Sequence, residues 1–310
     1  MKVGLSLPHI GEVASPDNIK NISIAAEKEG FDSLWVIERQ LWPAEPQTPY
    51  PASPDGSWPT VYQNVYDPIE TLTYVSAITS NIKLGTGIVD MLYQNPMILA
   101  KRLATLDNLS RGRLLLGLGL GHSKDEFDGS GVPFEKRGER ADEFLTVLKK
   151  IWYTNGKIEH DEKYYTIPKS IINPKPYQKQ IPIYLAGFSQ NTFKRIIKFK
   201  ANGWIGIPQI GLQIYKDGIE KLKQLAEKDD QYTTPLEFPT PLFPEITDND
   251  LSENDRTIGN GSINQIVQDI YELEKFGAHH VYLDFDFSSS SMNLEKNFDW
   301  AIKILNKIKN

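Results

Sequence analysis

The chain has no cysteine. That absence removes disulfides, thiolate metal sites and thiol nucleophiles together. It has only five histidines, and none falls in an HxH or HExxH pattern, so no metal site is expected. No apolar run approaches the roughly 18 residues of a membrane span. The opening MKVGLSLPHIG has one lysine and a short apolar run, too little for a signal-peptide core, and reads as a first strand. The expectation is a cytoplasmic protein with no membrane partner. There is also no basic block: 40 acids against 34 bases give a net charge of −6, which argues against nucleic acid.

What is present is a regular alternation. Strand-like runs occupy Val3–Leu7, Ser33–Ile37, Ile82–Val89, Arg113–Leu118, Ile183–Ala186, Trp204–Ile207, about Leu236–Phe243, and His280–Phe285. Helical patterns lie between them, with start signals at Ser15–Pro16, Asp67–Pro68 and Asn95–Pro96. Ser262 with Gln265 forms a capping box, and Gly277 stops that helix. Eight βα units in series predict an α/β fold, a single (β/α)8 TIM barrel over residues 1–310; a doubly wound open sheet is the competitor.

Two insertions break the rhythm. Residues 40–66, after strand two, are rich in proline and aromatics (among them Trp42, Pro54, Trp58 and Tyr62), which suggests an ordered lid over something apolar. Residues 155–180, before strand five, contain GKIEHDEKYYTIP and predict a hairpin. The acidic runs Asp229–Asp230 and Asp248–Asp255 read as solvated surface.

Barrel chemistry sits at the carboxyl ends of the strands. The stretch Leu84–Phe127 supplies two such ends, with Asp90 and Tyr93 after the first and His122 and Ser123 after the second. Gly117, Gly119 and Gly121 suggest a dinucleotide loop, but GxGxxG requires glycine at His122 or Lys124. Close barrel packing and close approach of a ligand remain equally good explanations. His122 is placed to donate a proton or hydrogen-bond a ligand carbonyl; a lone loop histidine more often bonds backbone. His9, His160 and His279 are weaker candidates. Glu38–Arg39 closes strand two, either as a salt bridge holding the long loop or as a cation held by its neighbour and aimed into the pocket. Gly187–Phe188–Ser189 opens a helix and offers N–H groups and a hydroxyl to a phosphate, though for a serine taken alone a plain N-cap is the commoner explanation. The full GxSxG elbow is missing, because Asn191 stands where glycine is needed.

Several segments together carry a family likeness: FDSLWV, LGTGI with its later NP, LDNLSRGRLLLGLGLG, the EF…GVPFEKRGERADEFL run, and LAGFS…ANGW. In order and spacing they resemble the luciferase-like flavin-dependent oxidoreductases across nearly the whole chain. The resemblance implies a TIM barrel, reduced-flavin or deazaflavin chemistry, and a homodimer. It places Gly87–Ile88 at a bulge, often a non-prolyl cis peptide, that supports one face of the flavin ring. Gly121 belongs to the same cofactor-facing rim. Gly187, Phe188 and Ser189 match the phosphate seat, and His122 matches a position that often holds a catalytic acid in deazaflavin relatives. Two positions depart from the pattern. Glu38–Arg39 replaces a common Asp-His pair, and Leu120 replaces an arginine found near the phosphate in some members, which shifts weight to Ser189, backbone N–H groups and Arg195. The expectation is a monooxygenase using reduced FMN, supplied by a separate flavin reductase, and dioxygen on a small organic substrate. In it His122 stands near the reacting centre and Arg39 contacts an anion or substrate, with Glu38, Trp42 and Tyr93 lining the pocket. The alternatives are hydride transfer with the deazaflavin coenzyme F420, and flavin binding without catalysis.

Overall fold

The short strands are apolar on both faces, as parallel strands covered on both sides must be. In the computed structural model they are β1 Lys2–Ser6, β2 Ser33–Val36, β3 Lys83–Thr86, β4 Leu114–Gly119, β5 Ile183–Ala186, β6 Gly203–Ile205, β7 Pro239–Leu242 and β8 His280–Leu283. The structure describes residues 1–53, 55–252, 254 and 256–309. Pro54 of the proline-rich stretch and Asp255 of the acidic run lie outside the described residues.

The strands pair in parallel in the order β7-β8-β1-β2-β3-β4-β5-β6. Val3 is in register with Val281 on one side, and Leu5 with Leu34 on the other. The ends of that path meet where Gly203 bridges Glu237, just before β7. A Cβ at Gly203 would lie 1.7 Å from the Glu237 carbonyl oxygen, so the seam closes only on glycine. The result is the expected barrel.

Among the described residues, eight main helices cover it: α1 Pro16–Glu29, α2 Pro68–Ile78, α3 Pro96–Leu109, α4 Arg137–Tyr153, α5 Gln190–Lys198, α6 Leu212–Glu227, α7 Ile263–Phe276 and α8 Leu294–Lys309. Their starts are the ones the sequence marks. Ser15 accepts from Asn18 N at 3.1 Å, Asp67 from Ile69 N at 2.8 Å and Asn95 from Met97 N at 2.9 Å. The Ser262–Gln265 capping box is formed, and Gly277 ends α7 in the left-handed region. No described helix is long and apolar enough to cross a membrane. The predicted hairpin pairs Ile158–Asp161 with Thr166–Ser170.

Inside the barrel, large rings sit opposite glycines. Trp35 stacks on Tyr282 with centroids 4.3 Å apart, and Leu115, Tyr184 and Ile205 complete the layer. A Cβ on Gly85 would lie 2.4 Å from Trp35, and one on Gly117 would lie 2.1 Å from the Thr86 carbonyl oxygen. Close barrel packing therefore accounts for Gly117.

The run expected as one strand over Ile82–Val89 divides into β3 and a two-residue strand, Val89–Asp90, that pairs with β4. The junction is Gly87–Ile88, and it corrects an expectation. The cis peptide found among the described residues is Asn173–Pro174, and Gly87–Ile88 is trans. The peptide groups on either side are engaged: Gly87 N–H donates to Val36 O at 2.7 Å, and Ile88 O accepts from Glu38 N at 3.1 Å. Pairing to β2 continues through the bend without a strained bond.

Candidate active site

A cavity of about 350 Å³ opens at the carboxyl ends of the strands. Every strand after β1 contributes to its wall, from Ile37–Arg39 after β2 to Tyr282, Asp284 and Phe287 at the end of β8. The floor is bare backbone at Gly87 and Gly119. A Cβ at Gly87 would meet the Tyr282 hydroxyl at 2.4 Å, and one at Gly119 would meet Ile88 at 1.9 Å.

The proline-rich insertion roofs this cavity. Tyr50 and Tyr62 reach it, their hydroxyls 2.9 Å apart, and the Trp58 indole N–H donates to Thr48 O at 2.8 Å. A short helix, Lys124–Gly129, anchors the lid: Lys124 N donates to Thr48 Oγ1 at 2.9 Å, and Gln40 N donates to Glu126 Oε1 at 2.9 Å. The Arg39 guanidinium lies beneath, 4.9 Å from the Tyr62 ring centre and 5.5 Å from that of Trp58. Its ionic partner is Glu126, at 3.5 Å. Glu38, the sequence neighbour expected to hold Arg39, does not pair with it. Glu38 instead accepts from Asp90 N at 2.6 Å and from Gln94 Nε2 at 3.3 Å.

Burial controls the titration of this rim. It pushes the Glu38 carboxyl up to about 8, reinforced by the neighbouring Asp90. Asp90 is pushed up to about 6 by its own burial, while Arg39 and the N–H of Gly121 oppose the rise. Gly121 N donates to Asp90 Oδ1 at 2.8 Å. Burial, with Arg39 and Arg137 nearby, holds the His122 imidazole down to about 4. At neutral pH, then, Glu38 keeps its proton and His122 is an uncharged ring. His122 can hydrogen-bond a ligand there but does not store a proton as imidazolium.

The sequence-predicted residues divide clearly. Arg39, Glu38, Gly87, Ile88, Gly121, His122, Gly187 and Phe188 all line the cavity. Ser189 caps α5, accepting from Thr192 N at 3.1 Å. It also borders an adjoining surface depression with Leu120, Lys136, Arg137 and Arg195. Arg195 is less available than expected, because its guanidinium bonds Asp142 at 2.6 Å and Gly138 O at 3.0 Å. Two pocket-lining expectations are corrected. Trp42 packs within the lid's own apolar cluster. Tyr93 lies behind the wall, donating to Glu126 Oε2 at 3.0 Å, with its ring filling the space a Gly121 side chain would need. Neither reaches the cavity, because the glycine-rich rim backs onto Tyr93 and the lid's inward rings are Tyr50 and Tyr62.

Sequence reading missed Tyr282 and Asp284. The run VYLDFDF places them at the carboxyl end of the last strand, the same positional signal that flagged His122. His9 is structural: Nδ1 lies 2.8 Å from Leu7 O, and Nε2 accepts from Ile37 N at 2.9 Å. Where α4 packs on the hairpin, Glu143 of the helix and His160 and Glu162 of the hairpin bring ligand atoms within 4.8 Å of one another. The Glu143 carboxylate is already occupied by the N–H groups of Tyr164 and Tyr165 and by His160.

The residues present suit a flat, partly polar ring. Two glycines leave the floor bare, and Ile88, Ile205 and Ile207 supply apolar walls. Three buried polar atoms around the cavity have no partner among the described residues: Arg39 Nε, His122 Nε2 and the Tyr282 hydroxyl. Orphaned buried polar atoms carry a desolvation cost that a bound group would remove. The depression beside Ser189 lies at the starts of α4 and α5 and adds Lys136 and Arg137, with Glu135 beside them, which suits a phosphate.

Comparison with known proteins agrees with this geometry. An uncharacterized protein of Mycobacterium tuberculosis is 35% identical over 186 residues, which is 59% of this chain and 65% of that protein. The chain thus spans just under two thirds of the curated relatives it matches. Among solved structures, a monooxygenase from Streptomyces bottropensis superposes with TM-score 0.76 at 16% identity, covering 99% of this chain and 97% of that one. An F420-dependent secondary alcohol dehydrogenase, solved with an F420-acetone adduct, superposes with TM-score 0.73 at 17% identity over the same shares. Those two likenesses speak for the fold. The family model for luciferase-like monooxygenases matches residues 1–256, and the chain therefore belongs to that family of oxidoreductases.

Proposed function

We propose that the protein is a monooxygenase that uses reduced FMN and dioxygen on a small apolar or amphipathic organic substrate. The observation that carries this reading is the glycine-floored cavity ringed by the orphaned atoms of Arg39, His122 and Tyr282 under an aromatic lid. Gly87, Ile88 and Gly119 would support the flavin ring, while Ser189 and Arg137 would face its phosphate. When bound, the reduced flavin supplies the electrons that activate dioxygen. The protein's share is orientation and exclusion of water. Tyr50, Trp58 and Tyr62 shield the site, Arg39 offers a fixed positive charge, and neutral His122 offers a hydrogen bond. Supply of the reduced flavin by a separate reductase, assembly as a homodimer and a cytoplasmic location are part of the same proposal.

A second reading is hydride transfer with F420, favoured by one observation. The uncharged His122 ring presents an unpartnered Nε2 to the cavity, as a group hydrogen-bonding a carbonyl or carbinol would. Anaerobic titration with reduced FMN and with reduced F420 separates the two. Submicromolar binding of FMN is expected; binding of F420 with none of FMN would replace the first reading with the second. Stoichiometric flavin binding without substrate-dependent oxygen uptake or hydride transfer would leave a flavin carrier.

A further inference from the structure

A second chamber of about 600 Å³ lies outside the first, between the lid and the loops that follow β6, β7 and β8. The two share Tyr50, Ile207, Phe243 and Phe287, so they adjoin at the mouth of the barrel. Its walls are mixed: Pro51, Pro59, Ile210 and Pro244 are apolar, while Ser53, Gln209, Glu245, Asn260 and Ser288 are polar.

One polar group stands out in that wall. Gln209 directs its side-chain N–H to Phe243 O at 3.3 Å, which fixes the sense of the amide. The reverse orientation would set two carbonyl oxygens against each other. Its Oε1 is buried and accepts no hydrogen bond from the described residues. Room for the amide is built into the backbone: Gly259 has φ +89°, and a Cβ there would lie 2.5 Å from Gln209 Nε2. The carboxylate in this wall, Glu245, is already engaged by the N–H and hydroxyl of Ser289.

We propose that this chamber holds the distal end of the substrate. The substrate is then an elongated apolar molecule whose far end carries a hydrogen-bond donor, a hydroxyl or an N–H, received by Gln209 Oε1. The inference rests on the barrel mouth being the substrate entrance of the oxidoreductase proposed above, and it adds the substrate's length and the polarity of its tail. A site built with an unpaired acceptor discriminates strongly against an analogue that cannot donate.

The test uses two probes of equal size, decan-1-ol and 1-methoxynonane, with calorimetric titration of the flavin-free protein. The alcohol donates and the ether only accepts. The wild type is expected to bind the alcohol at least tenfold more tightly. Gln209→Leu should abolish that preference while leaving ether affinity and reduced-FMN affinity unchanged. Equal affinity for the two probes, no binding of either, or a preference that survives Gln209→Leu would overturn the assignment. Loss of FMN binding in the wild type with the alcohol preference intact would instead sink the proposed function and spare the chamber.

Discussion

The His122 imidazole lies face to face with the Trp58 indole, 5.5 Å between centroids and 16° from parallel. One ring comes from the carboxyl end of β4 and the other from the lid, so the lid sets the environment of the barrel's most prominent polar ring. Burial under that roof, together with Arg39 and Arg137, is what keeps His122 neutral.

Trimming the roof should therefore raise the His122 pKa from about 4 toward the ordinary histidine range. Trp58→Leu opens the imidazole to water, and desolvation is the largest of the forces that depress it. The sign for stability follows. A depressed histidine stabilises the fold above its unfolded pKa near 6.5, and that contribution fades as pH falls toward 4. Proton NMR of the histidine ring in both proteins reads the shift. An unmoved titration in Trp58→Leu would show that the lid does not govern this residue.

Glu38 carries the opposite sign. Its folded pKa, raised to about 8, means that the native state holds a proton that the unfolded chain releases above about 4.5. Its contribution is complete at low pH and is lost as pH rises through 8, at a slope of at most about 1.4 kcal/mol per pH unit. Glu38→Gln keeps an acceptor for Asp90 N and removes the proton. Urea unfolding between pH 5 and 8 should give a flatter dependence for the variant, and identical slopes would contradict the assignment.

The fit of Gly87 against Tyr282 offers a reciprocal test. A Cβ at position 87 would meet only the hydroxyl oxygen closely, at 2.4 Å, with the ring carbon behind it at 3.2 Å. Gly87→Ala should cost about 1–3 kcal/mol by overpacking. Tyr282→Phe in the same protein should recover most of that loss, read as thermal midpoints of the two single variants and the double variant. A double variant no better than Gly87→Ala would mean that the backbone, not the hydroxyl, sets the cost.

Ser189 and Arg195 should separate by phenotype. Ser189→Ala is expected to weaken reduced-FMN binding about tenfold, since hydroxyl and helix start act together at the depression. Arg195→Ala removes hydrogen bonds that tie α5 to Asp142 and Gly138. It should lower stability by about 1–3 kcal/mol and change FMN affinity less than twofold. Calorimetry and urea unfolding on both variants decide it; a tenfold loss of FMN affinity in Arg195→Ala would return that residue to the phosphate seat.

The sequence by itself determined the frame. Proline after a capping side chain starts a helix wherever it occurs, and Ser15, Asp67 and Asn95 each do so. The eight strand runs and the hairpin were legible for the same reason: hydrophobic period and turn chemistry are local properties, read over a few residues. Position at a strand's carboxyl end likewise located Arg39, His122 and Gly187 on the cavity wall. Only the tertiary structure decided which groups meet. Glu126, 87 positions on from its ionic partner Arg39, and Gln209, aligned by the carbonyl of Phe243, have no local signature. Tyr93 and Trp42 read as pocket residues in one dimension and stand behind the wall or within the lid in three. Pairing, burial and the pKa values that follow depend on what the rest of the chain brings alongside, and that is a property of the closed barrel and its lid.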